Sequence, residues 1–179
     1  MATPIVESVA LTDSSGSSGS DYNVNLPAGI VAGELILCAL SINNTTSTPV
    51  TIPSGYSLLY SEVSETFITG VVFYKVADGS EGSQAAVGFN ASNRAVARSY
   101  RISGFSGSIS YEASSIGNST TNLPPPITPS GGASDYLYLV FDHIDTYTAN
   151  VTGYPSGYIN TGTEKSSTGA ACRIAWGEK

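Results

Sequence analysis

The sequence predicts an all-β protein, an antiparallel β-sandwich of the jelly-roll type with roughly eleven short strands. Three observations support this fold class. Apolar residues alternate with polar ones or form short continuous runs, and no segment of helical length shows the 3.6-residue period of an amphipathic helix. Turn-forming residues recur between these segments at the spacing of sandwich strands. Several phrases occur twice, which indicates two related halves of one fold.

The repeated phrases lie roughly a hundred residues apart. Three pairs share their turn residues, namely 26–43 with 129–145, Pro53–Tyr56 with Pro155–Tyr158, and Thr69–Val72 with Thr168–Ala171. The second pair is P-S-G-Y in both copies. We therefore predict one sandwich domain over residues 1–179, with halves of about 1–104 and 105–179.

The first half begins with two half-buried strands and a central one. Thr3–Thr12 alternates weakly, and Tyr22–Leu26 alternates apolar side chains with asparagines, as a strand with one buried face does. Asp13–Ser20 is D-S-S-G-S-S-G-S, a polar loop with nothing to bury. Leu35–Ile42 is apolar at nearly every position, which predicts a central strand that is apolar on both faces.

A hairpin and two further strands complete the first half. Tyr56–Val63 and Phe67–Val76 are the predicted arms of the hairpin. Ala77–Gly82 reads A-D-G-S-E-G and contains the Asp-Gly signal of a tight connection. Ala85–Phe89 and Arg94–Ile102 are then predicted as two separate strands.

The second half has fewer strands. Its three consecutive prolines predict an extended segment that crosses an edge or an end of the sandwich. Tyr136–Ile144 is predicted as a second central strand, followed by strands at Tyr158–Thr161 and Ala170–Trp176. The first half continues with two more strands where the second half ends. Either the chain is incomplete, as we expect, or the second sheet has an open edge that another chain covers.

Composition argues against a nucleic-acid or membrane partner. The net charge is −7 and the seven basic residues form no cluster, whereas phosphate binding needs clustered lysines and arginines. The N-terminus has no signal-peptide pattern, and no apolar run reaches the roughly 18 residues of a membrane span. We expect a chain that is made in a cytoplasm.

The sequence predicts no catalytic, metal-binding or cofactor-binding residues, and hence a protein that is not an enzyme. His143 shares a strand face with Asp145, but two ligands fall short of the three or four that zinc requires. No serine, histidine and acid pattern of a hydrolase is present. Cys38 and Cys172 lie in apolar runs, which predicts two buried thiols and leaves a disulfide between the halves as the alternative.

Carboxylates and tyrosines leave two further possibilities open. A glycan-processing enzyme would need two carboxylates about 5–10 Å apart on one face, which the sequence cannot show. Tyr147 and Tyr154 are predicted in a loop and are candidate exposed aromatic contacts for a glycan or a protein. Tyr56 and Tyr158 follow identical turns and are expected to pack over the ends of the sandwich.

Four phrases, V-N-L-P-A-G-I-V-A-G-E-L-I-L, I-P-S-G-Y-S-L-L, Y-K-V-A-D-G-S-E-G and Y-R-I-S-G-F, resemble a family of β-sandwich modules that are common in tailed phages. Nearly the whole chain is covered, although the family pattern continues beyond W-G-E-K, where this chain ends. The resemblance implies a virion-surface protein such as a decoration protein, a head fibre or a tail-associated domain. It supplies no catalytic residues.

The resemblance implies a bacteriophage structural protein, in first place a capsid decoration or cement protein on the head exterior, located in the virion after assembly in the host cytoplasm. Its partner would be the major capsid protein, another virion protein or a second copy of the chain. The alternative is a tail-associated module that binds a host surface glycan. The candidate interface is the N-terminal strand together with the open C-terminal edge, represented by Ile5, Val6, Ala170, Ala171, Cys172, Ile174 and Trp176.

Overall fold

A computed structural model describes residues 3–13, 19–43, 50–64, 68–112, 135–144, 151, 153–166 and 172–179. Within these ranges the chain forms ten β-strands and no helix. The strands are β1 (Ile5–Asp13), β2 (Gly19–Asn25), β3 (Leu35–Asn43), β4 (Val50–Thr51), β5 (Ser57–Ser64), β6 (Ile68–Val76), β7 (Gln84–Ser103), β8 (Leu139–Ile144), β9 (Ile159–Lys165) and β10 (Arg173–Glu178). The all-β prediction is confirmed for this part of the chain.

The strands form three antiparallel sheets. The central sheet has the order β1-β7-β3-β6-β5. The second sheet is formed by β2 and β4 with the first part of β7. The third sheet has the order β8-β10-β9. Strand β7 is 20 residues long and belongs to two sheets. Its first part pairs with β2 and β4, and its second part pairs with β1 and β3. The prediction of two separate strands here was wrong, because the backbone stays extended through the polar stretch between them and passes from one sheet into the next.

The central sheet is buried on both faces. Alternate residues of β3 enter two different apolar clusters, with Ile36, Cys38 and Leu40 on one face and Leu35, Leu37 and Ala39 on the other. The first cluster includes residues of β2 and of the first part of β7, and the second includes residues of β10. Burial on both faces explains why β3 shows no alternation in the sequence, as predicted.

The third sheet differs from the prediction in which strand is central. Strand β10 pairs with β8 on one side and with β9 on the other, and all six of its residues are buried. The predicted second central strand, Tyr136–Ile144, is shorter than expected and forms β8, which has β10 as its one neighbour among the described strands. Its apolar run reflects packing against the central sheet, since Leu139 and Phe141 contact the second cluster.

Other local predictions are confirmed. Strands β5 and β6 form the predicted antiparallel hairpin. Both P-S-G-Y segments are turns, in which the amide of Tyr56 donates to the carbonyl of Pro53 and that of Tyr158 to Pro155. Their glycines have positive φ angles of 82° and 86°, a conformation that glycine adopts without steric cost. Cys38 and Cys172 are buried free thiols, and no disulfide joins them.

The three-strand unit β8-β10-β9 repeats the register of β3-β6-β5. Residues that lie opposite each other on neighbouring strands of the first unit correspond to residues that lie opposite each other in the second unit. The correspondences are Ile42–Thr69 with Ile144–Arg173, Leu37–Tyr74 with Leu139–Glu178, Ser57–Tyr74 with Ile159–Glu178, and Tyr60–Val72 with Gly162–Trp176. Both units also contain a register shift at the same place in the outer pair of strands. By this register Thr69 corresponds to Arg173. The T-G echo at Thr168–Ala171 lies outside the described residues.

Candidate functional site

The candidate site is a groove of about 400 Å³ between β1 and β9, the outer strands of two facing sheets. Strand β1 is the outermost strand at one end of the central sheet, and β9 is the outermost strand at one end of the third sheet. Each therefore has one edge without a neighbouring strand among the described residues. Residues of four strands line the groove: Val6, Glu7, Ser8, Val9, Arg98, Asn160, Thr161, Trp176 and Glu178. We call this feature the β1–β9 groove.

Apolar side chains of β1 form one wall of the groove and continue beyond it. Val9 pairs with Tyr100 and Leu11 with Arg98, and paired residues of neighbouring strands point to the same face of a sheet. Val9 and Leu11 are each 40% exposed, and Ile5 is 55% exposed. Strand β1 contains neither lysine nor proline, and it has a register shift between Val6 and Ser8. Near its end the carbonyls of Leu11 and Thr12 accept hydrogen bonds from the side chains of Asn25 and Tyr22.

The floor of the groove is a buried cation–π stack. The guanidinium carbon of Arg98 lies 4.0 Å from the ring centroid of Trp176, and its Nε donates a hydrogen bond of 2.8 Å to the hydroxyl of Tyr100. Burial raises the pKa of Tyr100 well above its ordinary value, so this phenol stays neutral. A desolvated stack of this kind contributes about 2 kcal/mol and joins β7 to β10.

Glu178 neutralises the charge of Arg98 at the floor of the groove. Its carboxylate lies 3.9 Å from Nη2 of Arg98 and accepts a hydrogen bond of 2.8 Å from Nδ2 of Asn160. Asn160 has a φ of 49°, and asparagine tolerates this left-handed conformation better than most residues. Because the acid and the base of the floor already interact with each other, the groove offers shape and hydrogen bonds more than it offers a reactive group.

Trp176 is held from its other side by a glycine. A Cβ atom at Gly162 would lie 2.6 Å from Cζ2 of Trp176, closer than real side-chain contacts. The indole is therefore held between the Arg98 guanidinium and the backbone of β9. Tyr154 contacts the same part of β9, because its hydroxyl donates a hydrogen bond of 2.8 Å to the carbonyl of Gly162. Tyr154 is thus half-buried and anchored, not the freely exposed contact that the sequence predicted.

The predicted interface residues are only partly brought together. Ile5 and Val6 lie on the edge strand β1, and Val6 shares the groove with Trp176. Cys172 and Ile174 have 0% exposure and belong to the core. The prediction of an open edge at the C-terminal strand was wrong, because β10 has a strand on each side. Ala170, Ala171 and Tyr147 lie outside the described residues.

His143 is a packing residue in this fold. Its Nδ1 lies 2.8 Å from Oγ of Ser41, and its ring stacks on Tyr60 with the centroids 6.2 Å apart. In the part of the chain that the structure describes, no three His, Cys, Asp or Glu side chains lie close enough to share a metal ion. Asp145, the partner considered from the sequence, is outside that part.

The sequence did not single out Arg98, Asn160 or Glu178, which complete the groove. One signal was available, since the arginines of R-A-V-A-R-S-Y-R-I interrupt an apolar strand and must be paired if they are buried. The described residues contain no helix long and apolar enough to cross a membrane. No protein-family model, curated protein or solved structure was found to match the chain. Its function is therefore argued from the groove and from the phrases quoted above.

Proposed function

We propose that this chain is a non-enzymatic structural protein of a tailed-phage particle, a decoration protein that attaches to the major capsid protein on the head exterior. The observation that carries the proposal is the edge of β1, a strand of nine residues, with exposed Val9 and Leu11 on the face of the groove and exposed Ile5 on the other face. Such an edge is suited to pairing with an extended segment of another protein. The resemblance of the quoted phrases to virion-surface modules supports the same assignment.

We also propose that the fold is a jelly-roll-like sandwich built from two related halves. The recurrence of the P-S-G-Y turn, of the register and of the register shift in β3-β6-β5 and β8-β10-β9 supports this interpretation. In such an arrangement β1 and β7 extend the first unit, and the β1–β9 groove lies where that extension meets the second unit.

Copy number in purified particles tests the location. Quantitative mass spectrometry of the phage that encodes the chain, normalised to the major capsid protein, should find hundreds of copies, as a head lattice requires. A few copies to a few dozen would contradict head decoration and favour a tail-associated module that binds host glycans. Absence from purified particles would overturn the structural assignment itself.

Replacing Val9 with lysine should weaken attachment to undecorated capsids by about tenfold or more, because a lysine on an edge strand opposes strand addition. Cosedimentation at increasing protein concentration measures the effect. The matched control is Val31→Lys, which makes the same change of charge at a side chain that is 56% exposed but lies outside β1. Equal affinity of the two variants would show that attachment does not use the β1 edge.

A further inference from the structure

The C-terminal end of the β1 edge is covered by a side chain of β2. Nδ2 of Asn25, the last residue of β2, donates a hydrogen bond of 3.1 Å to the carbonyl of Leu11. Its Oδ1 accepts a bond of 3.0 Å from Nε2 of Gln84, so the amide is oriented with its donor towards β1. The main chain of Asn25 is also held, because its N–H donates to Oγ1 of Thr12 at 2.7 Å and its carbonyl accepts from Oγ of Ser99 at 2.6 Å.

The direction of the Leu11 carbonyl follows from the ladder of the central sheet. In an antiparallel ladder, the N–H and C=O groups of successive residues point alternately to the two sides of the strand. The N–H of Ala77 bonds to the carbonyl of Glu34, so Glu34 and every second residue after it in β3 point to β6. Ala39 belongs to the other set and points to β7, and its partner Arg98 therefore points to β3.

The same alternation continues through β7 into β1. Ser99, next to Arg98, points to β1, and its partner Ala10 points back to β7. Val9 and Leu11, on either side of Ala10, therefore direct their N–H and C=O groups to the edge that has no neighbouring strand among the described residues. They form the regular part of this edge, because the register shift of β1 lies on the N-terminal side of Val9.

We propose that Asn25 is an edge cap that prevents β1 from pairing with β1 of a second copy of the chain. An antiparallel pair of β1 strands centred on Ala10 would place Val9 of each copy opposite Leu11 of the other. The main-chain hydrogen bonds between these residues would number four, and two of them would end on Leu11 carbonyls. The Asn25 amide occupies the position of those two donors in each copy.

Strand β1 is suited to pair with itself once the cap is removed. Val9 and Leu11 are each 40% exposed and would contact each other across the pair on one face. On the other face, Ala10 would meet Ala10 of the second copy, and its small side chain permits the close approach of a pair without hydrogen bonds. Because β1 has no lysine or proline to oppose this pairing, the protection falls to Asn25. The cap acts in the free chain, so it does not depend on the proposed attachment to a capsid.

Sedimentation equilibrium of the full chain tests the cap. Asn25→Ala should raise the dimerisation constant at least about tenfold, because both Leu11 carbonyls become available to the second copy. The matched control is Asn23→Ala, the same change at an exposed residue of the same strand, which should leave the constant unchanged. The pair would also bring Glu7 near Asp13 of the second copy, so the measurement is made at about 0.5 M salt, where such charges are screened.

A second variant shows whether any association uses the β1 edge. Val9→Pro in the Asn25→Ala background should restore the monomer, because proline removes the N–H that points to the open edge and no hydrogen bond to β7. Equal dimerisation of Asn25→Ala and the natural chain would overturn the proposal. So would association of Asn25→Ala that persists with proline at position 9, since the contact would then lie elsewhere or come from misfolded chains.

Discussion

Replacing Trp176 with alanine should lower the free energy of unfolding by about 3–5 kcal/mol. The side chain is 7% exposed and packs with Ile174 in the cluster between the central and third sheets. Its removal leaves a cavity and also takes away the surface on which the Arg98 guanidinium is stacked. Arg98 and Glu178 would then remain buried as a pair 3.9 Å apart with less support. Urea denaturation of the full chain measures the change.

Ile159→Ala is the matched control for Trp176→Ala. Ile159 lies on β9, next to the same groove, but is 65% exposed. Its truncation should change stability by no more than about 0.5 kcal/mol. Trp176→Phe should recover part of the loss, because an aromatic ring still fills most of the space and still faces the guanidinium. If Trp176→Ala were no more destabilising than Ile159→Ala, the Arg98–Trp176 stack would not hold the third sheet in place.

The local sequence pattern predicted the position of a strand correctly where the whole strand belongs to one sheet. Tyr22 and Val24 alternate with asparagines and bury one face, and Leu35–Ile42 is continuous because both faces are covered. The two P-S-G-Y turns were readable because glycine at a positive φ leaves a distinct signature. The sequence prediction failed at β7, where the stretch Asn-Ala-Ser-Asn separates two apolar segments but the strand continues through it into a second sheet.

Sheet order was harder to predict than strand position. The sequence shows that residues near Trp176 are apolar, but β10 is central because β8 and β9 pair with it from two distant parts of the chain. For the same reason the sequence predicted only part of the groove. Val6 and Trp176 were recognised as interface candidates, whereas Arg98, Asn160 and Glu178 come together through long-range pairing that no local pattern records.

Acid should destabilise the fold through His143. The imidazole packs against Ser41, Tyr60 and Gly70, and a Cβ at Gly70 would lie 2.5 Å from its Cδ2. Burial lowers the pKa of His143 from 6.5 to about 4. The nearest acid on the facing strand β5, Glu62, is bonded to the hydroxyl of Tyr60. Asp142, next in sequence, extends from the opposite face of β8, since successive side chains alternate.

The sign of this effect follows from proton binding. The unfolded chain protonates His143 near its ordinary pKa of 6.5, whereas the folded chain takes up that proton only near pH 4. Stability from this residue is therefore complete above about pH 6.5 and is lost as the pH falls to about 4, a change on the order of 3 kcal/mol.

Urea denaturation at several pH values from about 7 to about 4 measures the free energy of unfolding of the natural chain and of His143→Gln, whose side chain does not titrate. The variant should be less stable at neutral pH and should lose less stability in acid, because buried carboxylates contribute equally to both curves. Parallel curves for the two proteins would show that His143 is hydrated in the folded state and that the contact between β8 and the central sheet does not exclude water.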